Sequence, residues 1–170
     1  GVQVIGLGNG QNRSTLTFDT TGATVNLGAD GVRVSNLRFL ASVSAITRGL
    51  DLDTGFFGQR VDNCYFQYDT NGDDFVTVIR AGAKHSRIED NYIAMEPDTT
   101  GPSYGISLLG GDPDYTTIQR NTLIGQFDSA VIGQDTSDTS DTNLLGVVIK
   151  DNVIINGDTV GAMHLRTSAG

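Results

Sequence analysis

Arg33, Arg60 and Arg87 recur 27 residues apart, and two places after them stand Ser35, Asp62 and Glu89. Guanidinium groups repeated on one exposed face clamp carboxylates bidentately, so the column reads as a contact for an acidic sugar such as a uronate. It reads more simply as a solvated ion ladder, the arginines pairing diagonally with Asp62 and Glu89 at about 1 kcal/mol per pair or less. Tyr65 and Tyr92 repeat the 27-residue interval. Stacked outward, they offer a sugar ring or a neighbouring subunit apolar area with a polar tip, or they pack on each other as ordinary cross-strand neighbours. Asp69, Asn71 and Asp73 in "DTNGDD" hold the first, third and fifth places of a calcium loop, but Asp74 and Arg80 replace the glycine and closing acid of an EF-hand. The pattern that is left is a looser surface site for Ca2+.

Nucleophilic and phosphate chemistry find no such groupings. His85 and His164 are the only histidines, and neither has a serine or cysteine partner within its own motif. His164, between Met163 and Leu165, is expected to face outward. Cys64, between Asn63 and Tyr65, takes an inward position where a small thiol packs in the core and nothing nearby lowers its pKa. "GLGNG" near the start is not followed by Lys-Ser/Thr, and no helix is expected there to receive a phosphate. "DTSDTSDT" at 135–142 reads as a polar loop. No residue is assigned a catalytic role.

What places these side chains is a repeated phrase. "VSNLRF", "VDNCYF", "IEDNYI", "IQRNTL" and "IKDNVI" each carry apolar residues at their first and sixth positions. With Val4 ahead of them, the first positions fall at Val4, Val34, Val61, Ile88, Ile118 and Ile149, in steps of 30, 27, 27, 30 and 31. A period this regular marks a repeat architecture. Between the anchors lie further short strands, "ATVNLG", "GLDLD", "FVTVI", "GISLL", "AVIG" and "AMHL", each too short to fold alone. Coils of this length close a parallel β-helix that stacks at ~4.8 Å and buries alternate residues, so about six coils span ~29 Å. The expected fold is all-β, a single-stranded right-handed parallel β-helix of about six coils forming one domain over residues 1–170. Val34, Phe39, Val61, Phe66, Ile88, Ile93, Ile118, Leu123, Ile149 and Ile154 are expected to point inward. Asn91, Asn121 and Asn152 are expected to pair their amides in a ladder at a sharp corner, where Asn tolerates the left-handed conformation. Asn36 and Asn63, one place earlier in their phrases, are expected to turn a slightly different corner.

Composition agrees with many short strands: 22 glycines stand against 3 prolines, and β-branched runs are separated by Gly, Asp, Asn and Thr. Hydrophobic residues make up 38% of the chain, enough for a core, and no apolar run is long enough to span a membrane. A formal net charge of −9 argues against nucleic acid and against an anionic bilayer, and favours a neutral or cationic partner. The single cysteine excludes an internal disulfide and leaves the compartment open. Gly1 opens the chain without an initiator Met or an apolar leader, so a segment of a longer chain or fibre is expected.

The repeated phrase resembles, over nearly the whole chain, the right-handed parallel β-helix repeat of pectin-lyase-like carbohydrate-active proteins and of phage tail and other virion proteins. "VIGLGNGQNRSTLTF" followed by "GATVNLGADGVRVSNLRFLAS" looks most like the first coils of phage β-helix proteins. The resemblance implies a structural or adhesive module of a tail spike, fibre or decoration protein, or of another extracellular fibre. Its partners would be copies of itself, commonly as a homotrimer, or further virion polypeptide, with cell-surface polysaccharide as the glycan contacted. Its location would be virion or extracellular. The competing reading is a polysaccharide lyase or glycoside hydrolase acting on an anionic glycan, because one scaffold serves both. "NGDD" is similar to the aspartate cluster of polygalacturonases, whose "GHG" and "RIK" motifs are missing here. "GQDTS" at 133–137 matches the pectin methylesterase motif "QDTL" at Gln134, Asp135 and Thr136 only.

Overall fold

The computed structural model describes residues 1–9, 12–96, 101–108, 113–134, 144–157 and 161–165. Short β-branched runs broken by Gly, Asn and Asp cannot pair with themselves, so each run finds its partner one repeat away. The first coil holds β1 (Gln3–Ile5), β2 (Thr15–Phe18) and β3 (Val25–Leu27), and the second β4 (Arg33–Ser35), β5 (Arg38–Ala41) and β6 (Ile46–Leu52). The third holds β7 (Arg60–Asp62), β8 (Tyr65–Tyr68) and β9 (Phe75–Ala81), and the fourth β10 (Arg87–Glu89), β11 (Tyr92–Ala94) and β12 (Tyr104–Ser107). The fifth holds β13 (Thr117–Gln119), β14 (Thr122–Gly125) and β15 (Ala130–Gly133), and the sixth β16 (Val148–Lys150), β17 (Val153–Asn156) and β18 (Met163–His164).

Every third strand stacks on the last. Sheet A is β1-β4-β7-β10-β13-β16, sheet B is β2-β5-β8-β11-β14-β17, and sheet C is β3-β6-β9-β12-β15-β18. All neighbouring strands are parallel, and the described residues include no α-helix. The chain is therefore an all-β parallel solenoid, and the six anchors Val4, Val34, Val61, Ile88, Ile118 and Ile149 stand in one column of sheet A.

Alternate residues fill the interior. Leu16, Phe39, Phe66, Ile93, Leu123 and Ile154 form the inward column of sheet B, where the Phe39 and Phe66 rings stack at 4.6 Å. Of the residues expected inward, Val34, Phe39, Val61, Phe66, Ile88, Ile93, Ile118 and Leu123 are buried. Ile149 and Ile154 are half-buried against the same core, since among the described residues the sixth coil has a neighbouring coil on one side only.

The corner between sheets A and B carries the asparagine ladder. Asn91 Nδ2 donates to Asn121 Oδ1 at 3.0 Å, and Asn121 Nδ2 donates to Asn152 Oδ1 at 3.0 Å. The same amides donate to the anchor carbonyls one coil back, Val61 O, Ile88 O and Ile118 O, at 2.9–3.1 Å. Each Oδ1 also accepts the backbone N–H of the matching residue one coil back, from Cys64, Asn91 and Asn121 in turn.

The structure corrects the conformational part of the expectation. The left-handed residues are those before the ladder, Asn36, Asn63, Asp90, Arg120 and Asp151, with φ between 53° and 59°. The ladder asparagines are not left-handed themselves. The turn is made by a residue whose side chain leaves toward solvent, and the next residue then aims its amide along the axis. Asn36 and Asn63 thus turn the same corner as Asp90, and in their coils Leu37 and Cys64 hold the ladder position.

Candidate functional site

On sheet A the parallel register does place Arg33, Arg60 and Arg87 in one outward column, beside Ser35, Asp62 and Glu89 in the other. The carboxylates lie under the arginines and are almost fully buried. Arg33 Nε and Nη2 grip Asp62 at 2.7 and 2.9 Å, and Ser35 Oγ donates to the same carboxylate. Arg60 Nε lies 2.7 Å from Asp62 Oδ2 as an ion contact without hydrogen-bond alignment, and its Nη2 reaches Glu89 Oε1 at 2.9 Å. Glu89 Oε2 accepts from Gln119 at 2.7 Å and from Arg120 at 3.1 Å.

The diagonal pairing inferred from the spacing is what links these coils. Arg87 is exposed and carries no described ion pair. Burial pushes the Asp62 carboxyl up, but the hydrogen bonds from Arg33 and Ser35 and the charge of Arg60 outweigh it and hold the group below the ordinary carboxylate range. A general acid needs the opposite shift.

Tyr65 and Tyr92 stand on a different face, the outside of sheet B, with ring centroids 5.3 Å apart. Arg13, from the loop before β2, reaches across the second coil to this pair. Its guanidinium sits 4.1 Å over the Tyr65 ring and donates to the Asn63 carbonyl oxygen and to Asn63 Oδ1. Such a contact is worth about 0.5–1 kcal/mol at a partly exposed site. Arg38 precedes Tyr65 in the same outward column and has no described ion pair, and its Nε is buried without an acceptor.

Asp69, Asn71 and Asp73 occupy the turn between β8 and β9. Asp73 Oδ2 accepts from the Thr70 N–H at 3.2 Å and from Thr70 Oγ1 at 2.7 Å, so this side chain closes its own turn. Beneath it Glu96 Oε2 accepts from the Gly72 N–H at 2.6 Å, while Glu96 Oε1 is buried with no partner. Burial raises the Asp74 pKa, with Asp73 and Glu96 adding to the rise and the Ala45 amide opposing it. Among the described residues no three His, Cys, Asp or Glu side chains are gathered to hold a metal ion. The three groups of expected site residues, Arg33–Arg60–Arg87, Tyr65–Tyr92 and Asp69–Asn71–Asp73, therefore lie at three separate places and do not converge on one site.

Two arrangements had little or no sequence signal. The corner between sheets C and A turns on positive-φ residues at Gly31, Gly58, His85, Tyr115 and Gly146, so two coils hold aromatic residues where three hold glycine. The His85 and Tyr115 rings stack at 4.8 Å, and a side chain at Gly146 would strike the Tyr115 ring at 2.6 Å. Glycine there is what lets the ring lie flat. Arg13 belongs to no repeated phrase, and nothing periodic marks it. His164 is exposed on the outward column of sheet C, and Cys64 is buried with its thiol pushed up to about 11 by burial, as its inward place implied. "DTSDTSDT" and the "DTS" of "GQDTS" lie outside the described residues.

No protein-family model matches the chain, and comparison with curated proteins and with solved structures gave no match.

Proposed function

We propose that the chain is a structural, adhesive β-helix module of an extracellular or virion fibre, whose solenoid supplies rigid length and receives further coils on its open ends. The observation that carries this reading lies at the two ends of the stack. Val4 and Met163 occupy inward columns, yet they are 47% and 55% exposed, whereas Val61, Ile88 and Ile106 in the same columns are fully buried. β1, β2 and β3 at one end, and β16, β17 and β18 at the other, are the outermost strands of their sheets. Among the described residues no strand pairs with their outer edges, and such an edge is a template for another strand. The partner that fits all three edges at once is a coil of the same cross-section. At the second end Leu144, Val147, Ile149, Met163 and Leu165 also line an apolar cavity of about 330 Å3, which a further coil would fill.

The likeness of the repeated phrase to phage β-helix proteins supports a virion fibre, tail spike or decoration protein as the setting, with cell-surface polysaccharide as the glycan it would contact. The test is sedimentation velocity at several concentrations together with hydrogen exchange. End-on association that protects β1–β3 and β16–β18 is expected, with no release of reducing or unsaturated ends from polygalacturonate or alginate. A monomer at every concentration whose terminal strands exchange as slowly as β7 and β10 would overturn the reading.

A further inference from the structure

The chain carries a formal charge of −9, yet its acid is unevenly spread around the prism. None of the residues outward on sheet B is Asp or Glu. Instead this face presents Arg38, Tyr65 and Tyr92 in one column, with Arg13 folded over Tyr65 and Leu40 and Ile124 in the next column. Arg33, Arg48, Arg60, Arg80, Lys84 and Arg120 all have a carboxylate within reach. Arg13 and Arg38 have none among the described residues.

The corner that follows sheet B shows the reverse imbalance. Asp19 and Asp69 each extend a strand by one residue and share a column with Ser42, because Phe18, Ala41 and Tyr68 are in register. Asp73 and Asp74 follow at the same corner, with Glu96 buried beneath, and no described cation pairs with any of these carboxylates. Burial is the first cause of the raised Asp74 pKa, and Asp73 and Glu96 add to the rise. On one molecule the two patches cannot meet: Arg38 and Ser42 are four residues apart along the strand, about 13 Å.

We infer that the outer face of sheet B, around Arg13, Arg38, Tyr65 and Tyr92, docks side by side on the acidic corner Asp19–Asp69–Asp73 of a second copy of this chain. Charge complementarity selects the partner, because the acids that would satisfy Arg38 lie on the same sequence, Asp19 and Asp69 bracketing its height one coil to either side. Both patches span the first four coils and are centred near the second, so one copy reaches the next by rotation about an axis parallel to the solenoid, with little shift along it. A head-to-tail contact made by rotation alone closes into a ring, whereas one with a shift would run on as a filament. The tyrosines and the apolar column supply the area that excludes water around the ion pairs. This association is lateral and independent of stacking on the ends.

The experiment compares sedimentation of the full chain in about 20 mM and about 500 mM NaCl, ionic strengths on either side of the value where screening acts over ~10 Å. A closed oligomer at low salt that weakens at least tenfold at high salt is expected. Arg38→Glu and Asp69→Arg should each give a similar loss, and the milder Arg38→Gln a smaller one, with circular dichroism checking that each variant is folded. The double variant, Arg38→Glu with Asp69→Arg, restores opposite charges across the contact and should regain the oligomer.

A wild type that stays monomeric at low salt, or a double variant no better than either single one, overturns the inference. So does salt-sensitive binding of polygalacturonate by a monomer that Arg38→Glu abolishes, which would make this face a polyanion site instead. Hydrogen exchange of β1 and β16 reports end-on stacking separately, so loss of one mode is not mistaken for loss of the other.

Discussion

Truncating Asn121 to alanine tests what holds the coils in register. The side chain is fully buried and makes four hydrogen bonds, two accepted from Asn91 and two donated to Ile88 O and Asn152 Oδ1. After Asn121→Ala, Asn91 Nδ2 keeps Val61 O and Asn152 Oδ1 keeps the Asn121 backbone N–H. The Asn91 N–H loses its acceptor, and the Ile88 carbonyl loses a donor. The orphaned N–H costs about 1–3 kcal/mol and the bond lost at the carbonyl about 0.5–1.5, so a loss of about 2–4 kcal/mol is expected. Asn63→Ala is the control, because Asn63 is exposed and its side chain makes only two surface bonds, donating to Asn36 at 3.3 Å and accepting from Arg13 at 3.1 Å. It should cost about 1 kcal/mol or less. Urea denaturation followed by circular dichroism and tyrosine fluorescence gives both numbers, with coincident transitions as the check on two-state behaviour. Hydrogen exchange should show the Asn91 amide losing protection first. An Asn121→Ala loss no larger than that of Asn63→Ala would refute the claim that the ladder carries stability.

Two further outcomes follow from the same geometry. Cys64 holds the ladder position in its coil, and its Sγ lies 3.8 Å from Val34 O, the carbonyl that an asparagine there would use. Cys64→Asn should extend the ladder and raise stability by about 1 kcal/mol in the same denaturation assay, and a loss of that size would count against the rule. The acid limb of stability should depend on Asp62: its carboxyl is held below the ordinary 3.8, so its contribution is present above that pH and is lost as pH falls through the native value. Asp74 has the opposite sign: its raised native pKa favours the folded state fully below 3.8, and that advantage is lost as pH rises through the native value. Urea midpoints measured across pH should therefore show a flatter acid limb in Asp62→Asn and a gain near neutral pH in Asp74→Asn. An unchanged acid limb in Asp62→Asn would show that its ion pairs do not set acid stability.

The fold was legible because the core imposes a period. Val34, Val61, Ile88 and Ile118 must each cover the one before, so apolar residues recur wherever a coil passes the same point. The ladder was legible for the same reason, since Asn91, Asn121 and Asn152 work only as neighbours. Its backbone was not, because the phrase shows which residues recur but not which of two adjacent residues turns the chain. Asn36 and Asn63 carry the asparagine that the phrase repeats, whereas Asp90 and Asp151 share with them only the Asn/Asp tolerance of the left-handed region, and Arg120 not even that.

Outward positions obey a weaker rule, and that is where partner choice is written. Register alone predicted that Arg33, Arg60 and Arg87 would stack, but not that Asp62 and Glu89 would each be shared by two arginines. Arg38 fills the same place in its phrase as Tyr65 and Tyr92, yet its lack of a carboxylate becomes visible only when the neighbouring faces are seen. Net charge misleads for the same reason. A value of −9 points to a neutral or cationic partner for the chain as a whole, but a partner meets one face at a time. On sheet A the acids are spent on arginines of the adjoining coils, at the sheet B–sheet C corner they are left over, and on sheet B they are missing. Unspent charge of both signs on adjoining sides of the same coils is the complementarity on which the proposed docking of a second copy rests.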